Sequence, residues 1–272
     1  MKNKISIYYP FVINEIKRNI TYRTRFYFGI LSKLLGVCIT FFLWIAIYKN
    51  SGANKISGFT EIDMVLYIIV GYIVSNTVFV SISYEIGTNI IDGSIANSLI
   101  KPIDYRLSLI SKAFGRMIFQ FFVPSVFFIV GILSFQLFYF ENKQYKIINL
   151  LFFILSMLCS FFIYVLFDFC FGMIAFFTTY IFGLQMVKSA VLSFLTGELI
   201  PLSFFPAVFQ KVFDFLPFSS MVYTPVMIYL GKYSGSELMF VLARQVIWIV
   251  ILFALGSLIW KKVTKRLVVL GG

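Results

Sequence analysis

The sequence predicts an all-α integral membrane protein with six transmembrane helices, and three observations carry that prediction. Of the 272 residues, 60% are hydrophobic and only 12% charged, against roughly 45–50% apolar and about 25% charged in soluble domains. Apolar runs of spanning length recur along the chain, each able to cross a hydrocarbon core of about 30 Å at 1.5 Å per helical residue. Lys and Arg gather in alternate connecting segments, as the positive-inside rule requires of cytoplasmic loops.

The elements follow in order. Residues 1–27 form a first unit, read as an interfacial amphipathic helix. Ile5, Tyr8, Tyr9, Val12, Ile16 and Ile20 recur at three- or four-residue steps, while Lys4, Glu15, Lys17, Arg18 and Arg25 fall largely elsewhere. The same charges interrupt any signal-peptide core. Residues 28–272 form the transmembrane domain. Phe28–Tyr48 is the first span, with Lys33 placed to snorkel toward the headgroups. Met64–Ser83 is the second, residues 84–116 a long polar loop, and Met117–Phe140 the third span, followed by the short polar turn Glu141–Lys146. From Ile147 to Leu184 only Asp168 is charged, and one helix over that length would measure roughly 55 Å, too long for a single crossing. The stretch divides into a fourth span, Ile147 to about Phe176, a turn near Thr178–Gln185, and a short fifth span, Met186–Ile200. Residues 201–239 hold four of the seven prolines and do not span. Phe240–Trp260 is the sixth span, closed by a basic tail.

Orientation follows from charge. Residues 1–27 carry six Lys/Arg, 84–116 four and 261–272 four, and Lys188 lies on the same side; the opposite loops hold six. Both termini and the 84–116 loop therefore face the cytoplasm, and 201–239 faces outside. The expected location is a plasma membrane, of bacterial type, with a multi-pass chain in contact with lipid. The net charge of +12 is explained by this distribution, so no nucleic-acid partner is expected.

The residue inventory narrows the chemistry. There is no histidine, and the three cysteines all sit in apolar runs, which argues against a disulfide framework, a zinc site and the commonest general base. No G-x-x-x-x-G-K-[ST] is present, so the chain carries no P-loop. No catalytic residue and no metal ligand is expected. Asp168 is the deepest acid. It is either functional, since a lone charge in hydrocarbon is costly, or solvated near the cytoplasmic end of a long helix; its depth favours the second reading. Arg244, one turn into the sixth span, reads as a snorkelling anchor. The 35 Phe suit either a pathway for an apolar substrate or helix packing, the commoner use.

Two segments are unlike simple connectors. The run Thr196-Gly197-Glu198-Leu199-Ile200-Pro201-Leu202-Ser203-Phe204-Phe205-Pro206 ends a helix with glycine, acid and prolines, then stays apolar. Broken backbone at membrane depth is tolerated only where protein or a water-filled cavity shelters it, so the run reads as a gate or pathway element. Glu198 either lines a cavity or bonds exposed backbone N–H groups. In the cytoplasmic loop, Ile86, Ile90 and Ile91 share a helical face, Asp92-Gly93 marks a turn, and Asp92 or Ser94 caps a short helix in which Ile95 and Leu99 lie on one side before Pro102 stops it. That face needs cover, from a partner protein or from the membrane surface.

These features resemble the permease subunits of the type-2 ABC exporters, a family that includes multidrug and antibiotic exporters. The resemblance rests on the Asp92-Gly93-Ser94-Ile95 to Leu99-Ile100-Lys101-Pro102 run, on Gly197–Pro206, and on Leu216-Pro217-Phe218 with Tyr223-Thr224-Pro225 and Tyr229-Leu230-Gly231; it covers nearly the whole chain. It implies that the cytoplasmic helix, with Ile91, Asp92, Gly93, Ile95, Asn97, Leu99, Lys101 and Pro102, couples to a separate ATPase that holds the ATP and Mg. The 1–27 helix is then a connecting helix. The segment after the fifth span becomes a re-entrant outer element, with Gly197, Glu198, Pro201, Phe205 and Pro206 as the outer gate or pathway. Two permease chains, identical or paralogous, pair around a pathway between their second and fifth spans. The competing readings are an ion-gradient-driven transporter, which predicts paired intramembrane acids or inverted repeats, and a membrane-embedded lipid-modifying enzyme, which needs clustered acids or metal ligands.

Overall fold

The computed structural model describes residues 4–21, 23–123, 125–126, 147–178 and 181–270. Eleven helices order these residues: α1 (Lys4–Thr21), α2 (Arg23–Ser51), α3 (Glu61–Val78), α4 (Ser83–Ile91), α5 (Ile95–Ile100), α6 (Tyr105–Phe122), α7 (Ile147–Gly172), α8 (Ile181–Leu195), α9 (Ala207–Phe215), α10 (Tyr223–Tyr229) and α11 (Gly235–Leu270). No strand occurs among the described residues. Most of the expected third span and the turn Glu141–Lys146 lie outside them.

Four stretches are long and apolar enough to cross a membrane: Leu31–Ser51, Glu61–Ile91 taken across its break, Ile148–Phe176 and Gly235–Lys265. They coincide with the first, second, fourth and sixth expected spans. The fifth is shorter than a span. Its 15 residues rise only about 22 Å, and the helix sits five positions earlier than expected. Gly197 takes φ +78°, the left-handed geometry that closes a helix and that glycine adopts without a Cβ clash.

The expected 84–116 loop is largely helical. Asp104 accepts a bond from the Leu107 N–H (3.0 Å) and caps α6, so that helix begins well before Met117. Gly93 at φ +75° separates α4 from α5, and Lys101, held extended before Pro102, ends α5. At the far side of the bundle, Thr60 and Asp63 exchange bonds in a capping box that opens α3, and Lys232 reaches Asp63 (2.9 Å) from the loop after α10.

The core runs through α3, α7 and α10, where Tyr67, Phe161, Ile163, Val165 and Val226 are fully enclosed. α11 and α10 pack on α7, and α2 on α3. Outward faces of α2 and α11 carry Phe28, Ile39, Phe42, Phe240, Val250 and Leu258 in the open, as hydrocarbon-facing helices do.

α1 is a helix that lies against α6 rather than one held only by its apolar stripe. Tyr9 and Ile20 of that stripe are exposed, whereas Glu15 is buried and pairs with Arg116 (3.1 Å) of α6. The two backbones approach at Gly115, where a Cβ would stand 2.5 Å from the Val12 carbonyl oxygen. The Tyr8 hydroxyl accepts from the Asp104 N–H (3.1 Å) at the head of α6.

Candidate functional site

The second span is broken in its middle. α3 stops at Val78, residues 79–82 leave the helix, and α4 restarts at Ser83. A restarted helix exposes N–H groups with no partner of their own, which inside a bundle must be satisfied by side chains. Asp168 of α7 does this. Its Oδ2 accepts from the N–H groups of Ile82 (2.6 Å) and Ser83 (2.8 Å) and from the Ser81 hydroxyl (3.2 Å), and its Oδ1 accepts from the Ser83 hydroxyl (2.8 Å). The carboxylate thus sits at the positive end of α4, which favours it electrostatically.

Lys188 of α8 completes the arrangement. Its ammonium contacts Asp168 Oδ1 directly, donates to the Ser83 hydroxyl (2.8 Å) and lies 5.1 Å from the centre of the Phe171 ring. Gln185, one turn earlier, donates to the same hydroxyl (2.6 Å). Asp168 is 0% exposed and the Lys188 side chain 5%. The solvated reading of Asp168 is therefore overturned: its depth along α7 is matched by a partner on α8, not by water. Lys188 correspondingly is no surface charge.

The break is also held from α6. Arg116 of α6 donates to the Ser81 carbonyl (3.0 Å) and to Glu85 of α4 (3.2 Å), while Lys112 pairs with Glu85 (2.5 Å). With Glu15 on Arg116, one charged network ties α1, α6 and α4 together just before α5.

The residues expected to couple to an ATPase lie around α4 and α5 but do not share one face. Ile91 (52% exposed), Leu99 (40%) and Ile100 (82%) stand out, whereas Ile95 is buried at 2% and Ile86 at 0%. The grouping of Ile86 with Ile91, and of Ile95 with Leu99, therefore divides into inward and outward residues. Asn97, Lys101 and Pro102 are exposed. Asp92 and Gly93 make the turn: hydrogen bonds from Ser94, including its N–H (2.9 Å), hold the Asp92 carboxyl below its ordinary range. Ser94 itself makes no capping bond.

The residues expected at an outer gate divide similarly. The Gly197 carbonyl accepts from the buried Tyr67 hydroxyl (2.5 Å), and the Thr196 carbonyl from the Tyr223 N–H (3.0 Å). Pro201 is buried and precedes a 3₁₀ turn, Leu202–Phe204; Pro206 is exposed and opens α9; Phe205 packs edge-on against Phe213 at 5.3 Å. Of these five, Glu198 faces the cavity described next. Arg244, expected as a snorkelling anchor, donates to the Asp214 carbonyl (2.8 Å) and pairs with the Asp214 carboxylate (3.2 Å), tying α11 to the end of α9. Lys33 bonds Asn76 of α3.

A cavity of about 370 Å³ lies between the break, α7 and α8, bordered by Phe79, Ser81, Tyr164, Gln185, Lys188 and Glu198. It joins the Asp168–Lys188 ion pair to the turn at Gly197 and Glu198. Sequence reading found Asp168 and Glu198 singly; it missed Ser81, Ser83, Gln185 and the pairing with Lys188, because nothing in the spacing joins residues on three separate helices. Among the described residues no group of three or more Cys, Asp and Glu is placed to hold a metal.

A family model described as "ABC-2 family transporter protein" matches residues 34–271. No curated protein matches the chain.

Proposed function

This chain belongs to the ABC-2 family of transporter membrane proteins, a multi-pass membrane component, and from that premise we propose that it is the permease subunit of an ATP-driven exporter. The carrying observation is a continuous mechanical path: an exposed apolar tip on α5, joined through α4 to a broken span that is clamped beside a cavity. A separate ATPase, holding ATP and Mg, docks on Ile91, Leu99 and Ile100 around the Asp92-Gly93 turn, with Asn97, Lys101 and Pro102 at the rim. A second permease chain, identical or paralogous, faces the first across the pathway.

In this mechanism, closure of the two ATPase subunits pushes α5. The Glu85, Lys112 and Arg116 contacts make α4, α6 and α1 move with it. Residues 79–82, outside any helix, take up the rotation, and Asp168 with Lys188 passes the motion of α4 to α7 and α8. At the outer side the Gly197–Pro206 segment, with Tyr67 holding its turn, acts as a re-entrant gate that opens as α8 shifts. Export of amphipathic drugs or antibiotics fits the aromatic lining.

An ion-gradient carrier needs an acid with room to take up an ion. Asp168 has its oxygens occupied by four donors and an ammonium, which supports the ATP-driven reading instead. The test is co-purification of the chain with an ATPase encoded beside it, then ATP-dependent transport in proteoliposomes. Leu99→Asp with Ile100→Asp should abolish both ATPase capture and transport. A double variant that still captures the ATPase and transports normally would remove the docking assignment.

A further inference from the structure

The cavity beside the broken span is bordered by a carboxylate with no close ion pair among the described residues, and its ligand class follows from that. Two ionic side chains border the space, Lys188 and Glu198. The charge of Lys188 is spent: Asp168 touches it directly, the Ser83 hydroxyl accepts a further hydrogen bond from it, and its side chain is 5% exposed. Glu198 is only half-buried. Its polar neighbours are Ser75, whose hydroxyl also reaches the Tyr72 carbonyl (3.2 Å), and the ammonium of Lys33, which lies outside the lining and bonds Asn76. Among the described residues Glu198 makes no close ion pair, and a carboxylate offers about four acceptor sites. The rings of Phe79 and Tyr164, 4.9 Å apart at their centres, form an adjoining aromatic wall. A carboxylate beside aromatic faces in a partly desolvated pocket is the arrangement that takes an organic ammonium. The remaining border, with Leu192 and Met186, suits an apolar body, and about 370 Å³ falls in the range of small-molecule sites.

We propose that this cavity binds cationic amphipaths, with Glu198 as the counter-ion and Phe79 and Tyr164 stacking on the ammonium end. The inference deepens the exporter reading by naming a substrate class, but binding to the chain alone tests it independently. The ammonium can come from a free solute or from an ethanolamine lipid headgroup, and the lipid composition separates the two.

The experiment uses the full chain in nanodiscs of phosphatidylglycerol, with empty nanodiscs as the partition baseline. The probes are a phenylhexyl-trimethylammonium salt and its neutral tert-butyl carbon isostere, titrated calorimetrically. The cation is expected to bind at least about tenfold more tightly than the isostere, and Glu198→Gln to lose about tenfold for the cation alone, the scale of one charge-assisted contact. Lys33→Met, which removes the competing ammonium, should tighten cation binding. Because the two variants move affinity in opposite directions, a folding defect cannot mimic the pattern. Competition by added phosphatidylethanolamine identifies the lipid source, and its absence the free solute; either supports ammonium recognition. Equal binding of cation and isostere, or an unchanged cation affinity in Glu198→Gln, overturns the proposal. Cation binding without ATP-dependent transport overturns the exporter reading and leaves the site intact.

Discussion

Replacing Asp168 by Asn tests the buried pair most directly. The substitution keeps shape and one carbonyl oxygen, so the bonds from Ile82 and Ser83 N–H survive on that side. It removes the charge opposite Lys188 and turns an NH₂ toward an ammonium and a hydroxyl donor. The two side chains are 0% and 5% exposed, so solvent screening is slight. Breaking a buried pair by removing one partner costs about 3–5 kcal/mol, because the remaining charge is stranded. Lys188→Met strands Asp168 instead, but the α4 N–H groups still stabilise the carboxylate, so its cost should fall at the lower end, about 3 kcal/mol. The double variant Asp168→Asn with Lys188→Met carries no stranded charge and should recover about 2–3 kcal/mol relative to the sum of the singles, within the range of contacting pairs. Equilibrium unfolding in mixed detergent micelles, with helicity by circular dichroism, measures the cycle. A coupling energy under about 0.5 kcal/mol would show that the two groups act separately, and the clamp on the broken span would have to be abandoned.

Other expectations concern the rest of the framework. Gly115→Ala places a methyl 2.5 Å from the Val12 carbonyl oxygen; overpacking of that kind costs about 1–3 kcal/mol, read as early loss of α1 in hydrogen exchange, and an unchanged exchange rate counts against the docked α1. Gly197→Ala must hold φ +78° with a Cβ 3.0 Å from the Tyr67 hydroxyl, costing about 1–2 kcal/mol for the left-handed backbone alone; thermal unfolding should drop measurably while Pro206→Ala, at an exposed position, leaves it nearly unchanged. Tyr67→Phe orphans the Gly197 carbonyl and should cost about 1–3 kcal/mol; a smaller loss in the Gly197→Ala background than in the wild type would show that both act on the same turn. Gln245→Leu removes donors to the Ser156 and Ser220 carbonyls (3.2 and 2.9 Å), and the expected loss of about 1–3 kcal/mol can be read in the same micelle assay.

Legibility in the sequence differed from element to element. The short helix α5 was readable because its signals are local: Gly93 needs φ +75°, Lys101 precedes a proline, and six residues between them form a helix. Its split into inward Ile95 and outward Leu99 and Ile100 was not, since one face of α5 turns back onto its own chain. The break in the second span left no trace either. Phe79-Val80-Ser81-Ile82 contains neither proline nor glycine, and its apolar character continues through the interruption. What permits the break is a carboxylate 86 positions away.

Composition and the apolar runs determined that this is a multi-pass helical membrane protein and located the four stretches long and apolar enough to cross. These are properties of each segment's own transfer energy between water and hydrocarbon, which neighbours hardly alter. The roles of the ionic residues were decided by tertiary structure. Asp168, Lys188, Lys33 and Arg244 each looked like isolated charges seeking water, because a charge in a low-dielectric bundle is costly until paired. Only packing brings α7 and α8 to the break in the second span, where Asp168 satisfies the N–H groups of α4 and Lys188 neutralises it. Glu198 is left as the charge that borders the cavity without an ion-pair partner among the described residues.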